Sequence, residues 1–94
     1  MAYEDEIGRV TELSAKEFRA SERSESALRI VLARYLALGR LAGISQGELI
    51  DFLGVSSPSV LEVAGYSDEE QDQVMVLLGR LSDEEIRVQE QRMA

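Results

Sequence analysis

The stretch from Glu25 to Ala42 constrains the fold most, because apolar residues cover nearly every side of the helix that it would form. These residues are Leu28, Val31, Leu32, Tyr35, Leu36, Leu38 and Leu41. A helix that is apolar on most sides is buried on most sides. Three arginines, Arg29, Arg34 and Arg40, interrupt the stretch, and each charge at the centre of a bilayer costs roughly 2.5 to 3.5 kcal/mol. We therefore interpret it as a core helix and expect no membrane contact. Because few helices remain in 94 residues to cover it, we also expect a homodimer.

The rest of the chain also predicts helices, because no window of strand length alternates apolar and polar residues. A first helix is expected over about Tyr3 to Ala20, and the serines of Ser21–Ser26 predict a break after it. The sequence SDEE occurs at Ser67–Glu70 and again at Ser82–Glu85. A serine followed three residues later by glutamate is a capping box, so a helix should begin directly after each of these serines. The predicted fold is all-α, a bundle of five or six helices.

Length and composition limit the possible functions. A chain of 94 residues predicts one helical domain, with an N-terminal helix over 1–24, a core over 25–81 and a C-terminal helix over 82–94. The absence of Cys and His removes disulfides, thiolate zinc sites and the commonest general base. We expect no enzyme activity, no cofactor and no metal site. The acidic N-terminus has no apolar segment of the kind found in signal peptides, which favours the cytoplasm.

One segment, Ile44 to Tyr66, carries a recognisable pattern, ISQGELIDFLGVSSPSVLEVAGY. Ser45 is expected to cap a first helix, with Leu49 and Leu53 four residues apart on its inner face. Gly54 should supply the positive φ of a tight turn.

The residues after Gly54 predict a second helix. Val55 is expected to pack into the angle between the helices, and Ser56 to cap the second one. Pro58 would lie in its first turn, where a missing N–H costs little. Val60 and Val63 are expected to face inward. Gly43, upstream, should end the preceding helix.

This pattern, with the flanking residues from about 36 to 81, resembles the helix-turn-helix of Cro/repressor-type regulators. The resemblance implies a small dimeric DNA-binding regulator of transcription, of bacterial or phage type. It implies that Gln46, Ser57 and Ser59 bond phosphates or base edges and that Leu61 touches a thymine methyl group. Arg40 would hold the DNA backbone, supported by Arg34 and Arg29. Arg29 and Arg40 are eleven residues apart, hence on one face of a helix.

The distribution of charge opposes this implication. Residues 1–40 carry seven basic and seven acidic groups, whereas residues 41–79 carry no basic group and seven acidic ones. The expected recognition helix, Ser57–Gly65, has no Arg, Lys, Asn or Gln, and Ile50 stands where the family has a small residue. Because affinity for DNA comes largely from cations at the phosphates, the arginines of the first forty residues would have to supply it. Alternatively, those arginines pair with acids of neighbouring helices.

A second interpretation therefore stays open. In it the chain is an acidic helical protein-interaction module, an adaptor, an inhibitor or a nucleic-acid mimic, that docks on a basic surface of another protein. An exposed Leu61 and the weakly amphipathic final helix would be its points of contact.

Overall fold

Serine side chains begin most of the helices of this chain. The computed structural model describes the backbone of residues 2–93 and the side chains of residues 6–93. The helices are α1 (Ala2–Ala20), α2 (Glu25–Leu41), α3 (Gln46–Ile50), α4 (Val60–Val63), α5 (Asp68–Gly79) and α6 (Asp83–Met93), and a π-helical turn, Asp51–Val55, continues α3. The hydroxyl oxygens of Ser24, Ser45, Ser59, Ser67 and Ser82 each accept a hydrogen bond from the backbone N–H three residues later, at 3.1 to 3.3 Å. Each bond satisfies an N–H that has no partner inside its helix.

The all-α prediction with five or six helices is confirmed, since residues 2–93 contain six α-helices and no strand. The break predicted in Ser21–Ser26 lies at Ser21–Ser24, and α2 begins at Glu25. The capping box predicted at Ser67 is present with both of its hydrogen bonds. Gly43 has a φ of 78° and follows the end of α2, as predicted.

Helix α2 is the centre of the fold. Helices α1, α3, α5 and α6 all pack against it, and its contact with α6 is the most extensive. Leu32, Tyr35 and Leu36 are buried to within 2% of full coverage. The homodimer was predicted from the need to cover this helix. Because four helices of the same chain cover it, that reason does not hold, and homodimerisation stays a prediction.

Aromatic side chains connect the two ends of the core. Phe18 of α1 makes edge-to-face contacts with Tyr35 and Tyr66, with ring centroids 6.4 and 5.9 Å apart. The Tyr66 hydroxyl donates to the carbonyl oxygen of Phe18 at 3.0 Å. The Tyr35 hydroxyl donates to the carbonyl oxygen of Leu49, and burial raises the pKa of Tyr35. These contacts fix α3 and the segment after α4 against α1 and α2.

The turn after α3 differs from the prediction. Gly54 does not have a positive φ, because the chain continues as a π-helix through it. A Cβ on Gly54 would lie 2.8 Å from the Met75 sulfur, so a larger residue here would require the flexible Met75 side chain to move. The wide turn changes the angular position of the residues that follow it. As a result Val55 is 72% exposed, and the prediction that it packs between two helices is wrong.

The predicted second helix is also shorter and starts later. Ser56 does not cap it; Ser59 does, three residues further on, so that the helix is the single turn α4. Pro58 precedes this turn, after a cis peptide bond, and does not lie within it. The later start brings Val60 inward, as predicted, but leaves Val63 half-exposed, which is a second error. The helix-turn-helix assignment itself stays a prediction.

Candidate functional site

Four residues of the motif were predicted to contact base edges and phosphates; two of them are exposed and two are buried. Gln46 and Ser57 are exposed. Ser59 is 3% exposed, and its hydroxyl accepts the N–H of Glu62 at 3.1 Å. Leu61 is fully buried, which contradicts the prediction that it is exposed and touches a thymine methyl group. The burial follows from the late start of α4, which turns Val60 and Leu61 together toward the core.

The three arginines predicted to hold the DNA backbone form ion pairs inside the chain. Arg29 Nη2 lies 2.5 Å from Glu85 Oε1, and Arg34 Nη2 lies 2.9 Å from Glu17 Oε1. Arg40 binds two carboxylates of α6, which are described next. Arg29 and Arg40 lie on one face of α2, as predicted, but that face is turned toward α6. The alternative in which these arginines pair with acids of neighbouring helices is the arrangement observed.

Arg40 joins α2 to both ends of α6. Its Nη2 lies 2.8 Å from Asp83 Oδ1, and its Nη1 lies 2.9 Å from Glu90 Oε1. Asp83 also accepts from Arg87 Nε at 2.8 Å. The hydrogen bond from Arg40, followed by that from Arg87, lowers the pKa of Asp83. The hydrogen bonds to Asp83 and then to Glu90 raise the pKa of Arg40. Asp83 and Glu90 are seven residues apart, two helical turns, so both reach one guanidinium.

Two further arginines hold the region around α4 and α5. Arg19 Nη1 donates to the Val63 carbonyl oxygen at 3.2 Å. Arg23 Nη1 lies 2.6 Å from Glu70 Oε2, and its guanidinium stacks 4.2 Å from the centroid of the Tyr66 ring. Together with the backbone N–H of Ser67, which has the larger effect, Arg23 lowers the pKa of Glu70. Most guanidinium groups of residues 19–40 are thus bound within the fold.

The acidic side chains of residues 41–79 face solvent. Within the part of the chain whose side chains are described, the exposed members that form no ion pair are Asp51, Glu62, Asp68, Glu69 and Asp72. Glu70 is bound to Arg23, and Ser45 donates to Glu48. No cation is available in this segment. We call residues 41–79 the acid-only segment.

Metal binding and membrane spanning find no support among the described residues. Nowhere in residues 6–93 do three or more acidic side chains come together as a possible metal site. None of the helices within residues 2–93 is long and apolar enough to cross a bilayer.

Comparison with protein-family models, with curated proteins and with solved structures finds no match for this chain.

Sequence reasoning missed the acidic partners of the arginines. The only available signal was the spacing of Asp83 and Glu90 on one face of a short helix with few apolar residues. That spacing becomes informative only when α6 is known to lie along α2. Val76 was also missed, because the sequence predicted where its helix begins and did not distinguish which of its apolar residues face solvent.

Proposed function

We propose that this chain is a small helical protein-interaction module that docks through its acid-only segment on a basic surface of another protein. One observation carries the proposal: five exposed carboxylates of this segment form no ion pair, whereas most arginines of the first forty residues are bound within the fold. Solvent-exposed charge of one sign accelerates encounter with a surface of the other sign and discriminates against the wrong partner. An adaptor, an inhibitor and a nucleic-acid mimic would all use such a surface.

DNA-binding transcriptional regulation is the second candidate. The resemblance to Cro/repressor-type regulators and the exposure of Gln46 and Ser57 favour it. The acids around them oppose it, because the screening length at physiological salt, about 8 Å, is longer than the distance between groups in contact, so the acids would still repel bound phosphates. In this reading Arg29, Arg34 or Arg40 would have to leave its carboxylate before it could bind a phosphate.

A titration with mixed-sequence duplex DNA at low and at moderate salt separates the two candidates. The protein-interaction module should not bind at either salt concentration. A regulator should bind at low salt, with log affinity falling by about 0.9 per neutralised phosphate as log salt rises. Binding with that salt dependence would overturn the proposal.

A capture experiment from cell lysate tests the proposed surface directly. The test variant is Asp68→Asn/Glu69→Gln/Asp72→Asn, which leaves Glu70 in its capping box. Glu12→Gln/Glu22→Gln/Glu84→Gln is the control, because it removes three exposed and unpaired carboxylates outside the acid-only segment. A basic protein that the wild type and the control retain, and that the test variant loses, supports the proposal once the purified pair binds in the same order. A partner retained by all three chains contradicts it.

A further inference from the structure

An open groove of about 570 Å³ lies between the start of α2 and the outer face of α5. Its apolar floor is formed by Leu28, Val76 and Leu77. Leu28 and Leu77 are buried, whereas Val76 is 58% exposed. Val76 belongs to the face of α5 that also carries Glu69 and Asp72, since these positions are three to seven residues apart. The groove therefore has an apolar surface that no other part of the described chain covers.

Charged side chains surround this floor unequally. Glu25 stands on the α2 side, and Glu69 and Asp72 stand on the α5 side. None of the three forms an ion pair within residues 6–93. Of the two arginines at the groove, Arg23 is held by Glu70 and by the Tyr66 ring, so Arg80 alone carries an unpaired positive charge there. The rim thus presents three carboxylates and one guanidinium that form no ion pair, although Glu25 also interacts electrostatically with Arg29.

We propose that this groove binds one amphipathic helix of a partner protein, with an apolar anchor against Val76 and with Arg or Lys residues facing Glu25, Glu69 and Asp72. The proposal rests on the proposed function and names the docking site within it. Charge complementarity selects a basic occupant, and an apolar floor between two helices suits the packing of a third. The anchor supplies affinity, and the charged rim supplies selectivity and association rate.

Two other grooves of the described chain contain exposed apolar residues but fewer unpaired charges, and the groove at Ile30 has one unpaired carboxylate, Glu84. Leu13, for example, lies in a groove where Arg34 and Glu17 pair with each other, so Lys16 is the one unpaired charge among its lining residues. The groove at Val76 combines an exposed apolar residue with three carboxylates and one guanidinium that form no ion pair, the largest such excess of acid among these grooves.

The test uses the full chain and a synthetic helical peptide of about 18 residues, long enough to form helix readily. One face of the peptide carries leucines and the other carries lysines. Two control peptides replace either the leucines by serine or the lysines by glutamate. Amide chemical shifts of the labelled protein locate the binding site. We expect the leucine–lysine peptide to shift residues 69–80 and 23–28, and both control peptides to bind at least tenfold more weakly.

Matched variants test the two components of the groove. Val76→Ser should weaken peptide binding by about fivefold to tenfold, since apolar area is lost. Val55→Ser, at an exposed valine that does not line the groove, should leave binding unchanged. Glu69→Gln/Asp72→Asn should weaken binding at low salt, and the difference from wild type should disappear at high salt.

The outcomes distinguish the groove from the proposed function. The assignment of the groove as the docking site would be overturned by any of three results: no peptide binding, chemical-shift changes in other parts of the chain, or equal effects of Val76→Ser and Val55→Ser. If the lysate partner still depends on Asp68, Glu69 and Asp72, the module stands and only its docking site is wrong. Binding to duplex DNA overturns both.

Discussion

Replacing Gly39 by alanine tests the packing of α2 against α3. A Cβ on Gly39 would lie 2.3 Å from Leu49 Cδ1 and 2.8 Å from Leu49 Cγ. A rotation of the leucine tip cannot relieve contact with Cγ, so α3 must move or the side chain must leave its rotamer. Overpacking of this kind costs about 1 to 3 kcal/mol. Alanine also returns about 1 kcal/mol of helix propensity. The expected result is a net loss of up to about 2 kcal/mol in the free energy of unfolding.

Gly8→Ala is the matched control for this substitution. Gly8 lies inside α1 and is exposed, and apart from the backbone of its own helix no heavy atom of the described side chains lies within 4 Å of an added Cβ. It should therefore gain about 1 kcal/mol from propensity alone. The same chemical change thus has opposite signs at Gly39 and Gly8. For a domain of this size, 1 kcal/mol moves Tm by roughly 4 to 8 °C, so thermal unfolding followed by circular dichroism resolves the two variants.

A coupling measurement completes the test. Leu49→Val shortens the side chain that the new methyl group would meet, so in the double variant Gly39→Ala should cost less than it does alone. If Gly39→Ala raises Tm as Gly8→Ala does, the close approach of α2 and α3 is wrong. The position of the acid-only segment relative to the core would then have to be revised.

Three other perturbations have definite expected results. The pKa values of Glu70 and Asp83 are lowered in the folded chain from ordinary values of 4.5 and 3.8. The ionised carboxylates therefore stabilise the fold above these values, and this contribution is lost as pH falls through the lower pKa values of the folded chain. A free energy of unfolding in urea that stays constant down to about pH 3 would contradict this. Ser14→Ala should raise the free energy of unfolding by about 1 kcal/mol, because the buried Ser14 hydroxyl has no hydrogen-bond partner among the described residues, and a lower Tm would show that the hydroxyl is satisfied. Gly54→Ala should change stability by less than about 1 kcal/mol, since its φ is not positive and the flexible Met75 thioether can move; a larger loss in chemical denaturation would argue for a left-handed turn at this glycine.

The helix starts were largely predictable from the sequence because caps are local. A capping serine bonds an N–H only three residues away, so Ser67 and Ser82 predict where their helices begin, independently of the surrounding structure. The segment SSPS, residues 56–59, offers three serines within four positions. Local chemistry does not choose among them. The choice of Ser59 accompanies the burial of Val60 and Leu61, which depends on the rest of the core.

The candidate site was predictable in its charge and not in its arrangement. The excess of acid in residues 41–79 is visible in the sequence. The identity of each ion pair depends on how the helices cross, since Arg29 and Glu85 are 56 residues apart. The exposure of Val76 likewise depends on which face of α5 turns toward α2. Sequence periodicity identifies a stripe of apolar residues but does not give its boundary to within one residue.

The double attachment of Arg40 has a consequence for any polyanion that approaches α2. Asp83 and Glu90 occupy the guanidinium from two sides, and Glu85 occupies that of Arg29. Such a ligand would enter only as a competitor of the carboxyl-terminal helix. Because α6 and the ligand would compete for the same guanidinium groups, any change that strengthens the binding of α6 to α2 lowers the affinity for the ligand by the same factor. The eleven residues of α6 would therefore act as an intramolecular competitor of any nucleic acid that approached these arginines.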